Sequence, residues 1–124
     1  MNILAIDYGT KRIGLAISVQ GIITPINPIE NNDQKFSVLK EIINQYKIEK
    51  IFVGISEGEF AKVTKKFVDQ LKNMLICDIE TVEEAVSTIE ANQIFLANKK
   101  KKKDYKKLID SISAAVILQR VNGF

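Results

Sequence analysis

The chain has 124 residues, 46% of them hydrophobic and 27% charged, with a formal net charge of +3. That is enough for one domain with its own core, and no apolar run approaches a membrane span. A lone cysteine, Cys77, excludes an internal disulfide, and the absence of histidine removes imidazole bases and most zinc chemistry.

The first predicted strand, at about 2–7, carries Ile3-Leu4-Ala5-Ile6, apolar on both faces as in a central strand, and ends on Asp7. Tyr8-Gly9-Thr10 supplies turn chemistry, and Lys11 and Arg12 follow as two cations. A carboxylate leaving a central strand beside cations suits divalent-metal and phosphate chemistry. The plainer account is an Asp-x-Gly turn whose carboxylate bonds its own backbone.

Strands at about 12–19 and 21–29 follow, with Gly21 turning between them and Pro25 and Pro28 marking the third as an edge strand. A helix over about 34–46, capped by Asp33, leads to a strand at about 50–55. A second helix over about 59–73 carries Phe60, Val63, Phe67 and Leu71 as its apolar stripe, and Met74–Cys77 reads as a fifth strand. Thr81 opens a helix over about 82–97 through the box-like Thr81-x-x-Glu84, and Asp104 caps a last helix to about Val121.

Short connections make strands 1 to 3 an antiparallel meander, whereas strands 4 and 5, each reached through a helix, pair in parallel. The expected fold is therefore α/β, a five-stranded mixed sheet with helices on both faces. The C-terminal ends of strands 1, 4 and 5 share one edge, where open α/β sheets bind ligands. Asp7 and Asp78 are expected there. Asp110, on the packed side of the last helix with Ala114, Ile117 and Val121, joins them, because a buried carboxylate needs a partner. Three carboxylates without a His or Cys cluster select a hard ion, Mg²⁺ or Mn²⁺. Cys77 is read as a strand residue rather than a nucleophile.

Charge is unevenly placed. Residues 1–98 carry a net −3 and residues 99–124 a net +6, with Lys99, Lys100, Lys101, Lys102 and Lys103 in one run. The run suits nucleic-acid phosphates, with Lys11 and Arg12 as further contacts; a solvated lysine-rich linker is the alternative.

The segment Ile6-Asp7-Tyr8-Gly9-Thr10-Lys11-Arg12-Ile13-Gly14-Leu15-Ala16 resembles the opening signature of YqgF-type proteins. Val53-Gly54-Ile55 is similar to that family's Val-Gly-Leu-Pro segment. Lys107-Leu108-Ile109-Asp110-Ser111, with Ala114-Ala115 and Leu118-Gln119, is similar to its C-terminal helix. The resemblance covers nearly the whole chain. It implies a ribonuclease-H-like fold and a nuclease of the 16S rRNA precursor, or a Holliday-junction-resolvase-like enzyme, with Asp7 and Asp110 as acidic site residues. The family's Asp-Glu-Arg-x-Thr-Thr after strand 5 is replaced. Anchored on Thr81 and Ala85, Asp78 stands for its Glu and Ile79 for its Arg, with Glu80 as the alternative carboxylate.

The expectation is thus a cytoplasmic, metal-dependent endonuclease acting on structured RNA or branched DNA, without a membrane partner, as monomer or homodimer. Its activity is weakened by the altered motif. A non-catalytic nucleic-acid-binding relative is the rival. A phosphotransferase of the actin/sugar-kinase type, which also opens on Asp-x-Gly-Thr, needs a second domain.

Overall fold

The computed structural model describes residues 1–55, 58–75, 77–83 and 102–121, and at 83 and 102–110 the backbone course alone. Strands β1 (Ile3–Tyr8), β2 (Arg12–Val19) and β3 (Ile22–Glu30) are followed by helix α1 (Lys35–Tyr46) and β4 (Lys50–Ile55). Helix α2 (Phe60–Met74), strand β5 (Asp78–Glu83) and helix α3 (Lys102–Val121) complete the described elements.

The sheet order is β3-β2-β1-β4-β5. β1–β2 and β2–β3 pair antiparallel, β1–β4 and β4–β5 parallel. The expected mixed topology is therefore present, with β1 at its centre. Gln20 and Gly21, both at positive φ (52° and 79°), form the two-residue hairpin between β2 and β3. In β3 the register slips by one residue between the pairs Ile13–Ile29 and Leu15–Ile26, a bulge that takes in Asn27 and Pro28.

Strand alternation sorts the core into two layers. Leu4, Ile6, Leu15, Ile51 and Val53 pack with Leu39 of α1 and with Phe67 and Leu71 of α2. On the opposite face Ala5 and Ala16 pack with Ile112, Ala114, Ala115 and Ile117 of α3. Small residues on both partners let α3 lie close to the sheet. Its Ala114–Leu118 stretch is buried on every side, which a solvent-facing helix would not tolerate. No described helix is long and apolar enough to cross a membrane.

Several boundaries differ from the sequence reading. The fifth strand is Asp78–Glu83, not Met74–Cys77: Met74 ends α2, and Cys77 is a half-buried residue of the connection. Thr81 accordingly sits inside β5, as do residues 82 and 83 of the helix expected over about 82–97, and the rest of that segment lies outside the described residues. Asp33 does not cap α1; the Asn32 side chain accepts from the Gln34 amide instead (3.0 Å). Asp104 lies within α3, not at its start. Val63 is 48% exposed, and the buried stripe of α2 runs through Thr64, Phe67, Val68 and Leu71.

Candidate active site at the shared strand edge

Asp7 is the penultimate residue of β1 and pairs with Gly14 on one side and Gly54 on the other. It is half-buried, and strand alternation sets it with Ile3 and Ala5 on the α3 face. Two flanking glycines leave room around its carboxylate on both sides. The following turn is tightly specified. A Cβ on Gly9 would run into the Arg12 carbonyl oxygen, so only glycine fits there.

Asn31, just past β3, fastens this turn: its side-chain amide donates to the Gly9 carbonyl (2.8 Å) and its backbone N–H to the Lys11 carbonyl (2.9 Å). The Tyr8 hydroxyl donates to the Asn31 side-chain oxygen (3.3 Å). The segment presenting Lys11 and Arg12, both exposed, is therefore held by a residue 22 positions from Gly9. Sequence reading missed Asn31 because its role is a long-range contact; an Asn at a strand exit reads only as a turn residue.

Helix α3 is anchored beside Asp7. The Leu15 N–H, next to the β3 bulge, donates to the buried Ser111 hydroxyl (3.1 Å). Leu15 follows Gly14, the partner of Asp7, so the turn of α3 at Ser111 lies over the Asp7 level of the sheet. Asp110 is the residue before it. Its side chain, with those of Lys102 and Lys103, lies outside the described residues, as do Lys99, Lys100 and Lys101 altogether.

Asp78 is not at this edge. It begins β5 and pairs with Lys50, which in turn pairs with Ile3; the β5 residue level with Asp7 is Val82. Four residues separate them, about 13 Å along the strand at roughly 3.3 Å per residue. Asp78 and Glu80 both bind the Lys50 ammonium (2.7 and 2.8 Å), which also sits over the Phe52 ring (5.2 Å). The bonds to Asp78 and then Glu80 hold the Lys50 ammonium above the usual lysine pKa range. The expectation that Asp78 stands beside Asp7 at the strand exit is therefore corrected, and Glu80, two residues short of the Asp7 level, is engaged by Lys50. The physical cause is the misplaced strand: shifting β5 toward the C-terminus moves Asp78 from its exit to its entrance.

The shift also resets the motif. β5 ends at Glu83, which the sequence continues as Glu84-Ala85-Val86-Ser87-Thr88, residues outside the described ones. Set against Asp-Glu-Arg-x-Thr-Thr, this stretch keeps Glu84 and Thr88, has acidic Glu83 for Asp and hydroxylic Ser87 for Thr, and has Ala85 for Arg. Glu84 lies outside the described residues. Among the described residues no three Asp, Glu or Cys side chains come together as a metal cluster. The candidate donors, Asp7 at this edge with Asp110 and Glu84 from the sequence, are all carboxylates, a set that fits a hard, oxygen-seeking ion.

Burial raises the Cys77 thiol pKa, so this residue has none of the character of an activated nucleophile.

Residues 1–121 match the family described as "RuvX: Holliday junction resolvase". A protein of Sulfurihydrogenibium sp. (strain YO3AOP1) named "Putative pre-16S rRNA nuclease" is 42% identical over 95% of this chain and 87% of its own. One of the same name from Halothermothrix orenii is 34% identical over 96% and 92%. Among solved structures, the fowlpox virus Holliday junction resolvase superposes with a TM-score of 0.62 at 14% identity, covering 99% of both chains. RuvC of T. thermophilus, solved with a Holliday junction substrate, gives 0.57 at 13%, covering 98% of this chain and 96% of that one. These two are likenesses of fold.

Proposed function

The chain belongs to the RuvX Holliday junction resolvase family, and from that membership we propose that it is a metal-dependent endonuclease of the 16S rRNA precursor. The observation that carries the reading is the match, over nearly the full length of both chains, to relatives named for that activity. The ribonuclease-H-like sheet supports it, with a carboxylate, Asp7, leaving its central strand on the face that α3 covers.

Asp7, Asp110 and Glu84 would hold Mg²⁺ or Mn²⁺. When bound, such an ion supplies Lewis-acid stabilisation of the phosphodiester and lowers the pKa of a coordinated water. The chain itself contributes position and charge. Asp7 is fixed by backbone pairing on two sides, so its carboxylate needs little reorganisation to meet a ligand. The Asn31-clamped turn presents Lys11 and Arg12 toward the substrate phosphates as positioning contacts. Lys99 to Lys103, a run that ends in the first residues of α3, add sequence-independent attraction. Ala85 in place of the family's arginine removes one bidentate phosphate ligand, which keeps the rate low. The free thiol and the substrate both suit a cytoplasmic protein.

The test compares wild type with Asp7→Asn on precursor rRNA and on a four-way DNA junction under saturating Mn²⁺. Asp7→Asn keeps the side chain's size but removes the charge a hard ion needs. Cleavage of the RNA is expected to disappear while binding persists. Identical cleavage by both proteins would reject the assignment, and cleavage of the junction alone would make the protein a resolvase.

A further inference from the structure

We propose that the exposed side of α2, through Lys62, Lys65 and Lys66, is a second phosphate-binding surface, which carries nucleic acid away from the Asp7 edge along the outer side of the helix layer that covers the sheet face opposite α3. This inference rests on the nucleic-acid-binding part of the reading above.

Helix α2 bears four lysines, Lys62, Lys65, Lys66 and Lys72, against one acid, Asp69, and all five are exposed. At 100° per residue, Lys62 and Lys66 point directly away from the buried stripe of Thr64, Phe67, Val68 and Leu71, with Lys65 and Lys72 on one flank. None of the four makes an ion pair or a side-chain hydrogen bond among the described residues. Lys62 stands three and four residues from Lys65 and Lys66, the spacing at which like charges on a helix repel. The single acid, Asp69, four and three residues after Lys65 and Lys66, offsets only part of that charge, and the excess of cations on this side is left for an external anion to balance.

The placement of this face is the second observation. Tyr8, the residue after Asp7, stacks on Phe67 (ring centroids 4.1 Å apart) and on Phe60 (6.0 Å). The first two turns of α2 are thereby fixed to the strand end that carries the candidate site. Lys62 to Lys66 spans about 6 Å of helix and Lys62 to Lys72 about 15 Å, at 1.5 Å per residue. That is a track of cations rather than one isolated contact. An extended polyanion with regularly spaced charges fits it, and a phosphodiester backbone has that chemistry.

The measurement is the salt dependence of affinity, by fluorescence anisotropy, on a structured RNA and on a four-way DNA junction. A triple Lys62→Gln, Lys65→Gln, Lys66→Gln variant keeps helix propensity. Its slope of log affinity against log salt should fall by about two to three, at roughly 0.7–0.9 per phosphate neutralised. Both probes should lose equally, because phosphates are common to them. Adding charge should do the reverse: Asp69→Lys, on the same side of α2, should tighten binding. Glu41→Lys, the same charge change on the exposed side of α1, should have much less effect. An unchanged slope in the triple variant, or equal gains from Asp69→Lys and Glu41→Lys, overturns the proposal. Absence of any nucleic-acid binding by wild type overturns the functional reading with it. Binding by wild type that the α2 variants leave untouched overturns this inference alone.

Discussion

Asp78 begins β5, and Glu84 follows its last residue in the sequence, so the proposed site takes Glu84 rather than Asp78. Asp78 is spent on Lys50 at the entrance of the strand, so Asp78→Asn should leave cleavage essentially unchanged. Glu84→Gln should lower it by more than the roughly 10–100-fold that follows removal of an outer partner of a metal ligand. Rates of the two variants measured side by side under saturating Mn²⁺ decide between the registers; inactivity of Asp78→Asn with activity in Glu84→Gln would restore the first one. The place of Asp7 near the end of the central strand was legible in the sequence because a purely apolar run ended on it. Asp78 was misread for the same reason, since Met74–Cys77 is also largely apolar and also ends on an acid. Asn31 was not legible, because its importance lies in three hydrogen bonds made across the chain.

At the scale of elements, the bond between Ser111 and Leu15 fixes α3 on the sheet. Ser111→Ala would leave the buried Leu15 N–H unpaired, at a cost of about 1–3 kcal/mol. Chemical denaturation followed by circular dichroism would measure it, and a decrease below that range would mean the amide finds another partner. The helices up to α2 were legible from their period and the central strand from its unbroken apolar run, and parallel pairing followed from the helical crossovers. The fifth strand was not. Its alternation of Asp78, Glu80 with Ile79, Thr81 is a half-covered strand's pattern, overlooked beside the stronger apolar signal of Met74–Cys77 before it. Connection length held the missing clue: a strand at 74–77 leaves no loop after α2, whereas connections between helix and strand usually take about 2–6 residues.

Across the whole molecule, charge and fold are set against each other. The first 98 residues are net acidic and the last 26 strongly basic, and the carboxylates of the candidate site would otherwise repel a polyanion. Replacing Lys99–Lys103 by serine should weaken RNA binding and reduce its salt slope by roughly 0.7–0.9 for each phosphate no longer neutralised. The melting temperature should hardly move, since exposed lysines add little stability. Equal affinity and slope in the substituted protein would reduce the run to a solvated connection.

The bulge in β3 has a consequence for how copies of this chain meet. An outer strand of nine residues is long enough to template a neighbour's strand, the first step toward aggregation. Pro25 and Pro28 withhold two amide donors from it, and the slip at Asn27–Pro28 bends the rest of the ladder away from flatness. This border of the sheet is thereby made a poor template for growth. Pro28→Thr should reopen it, giving concentration-dependent association visible by light scattering, while a variant that stays as dispersed as the parent would show that the bend alone is sufficient.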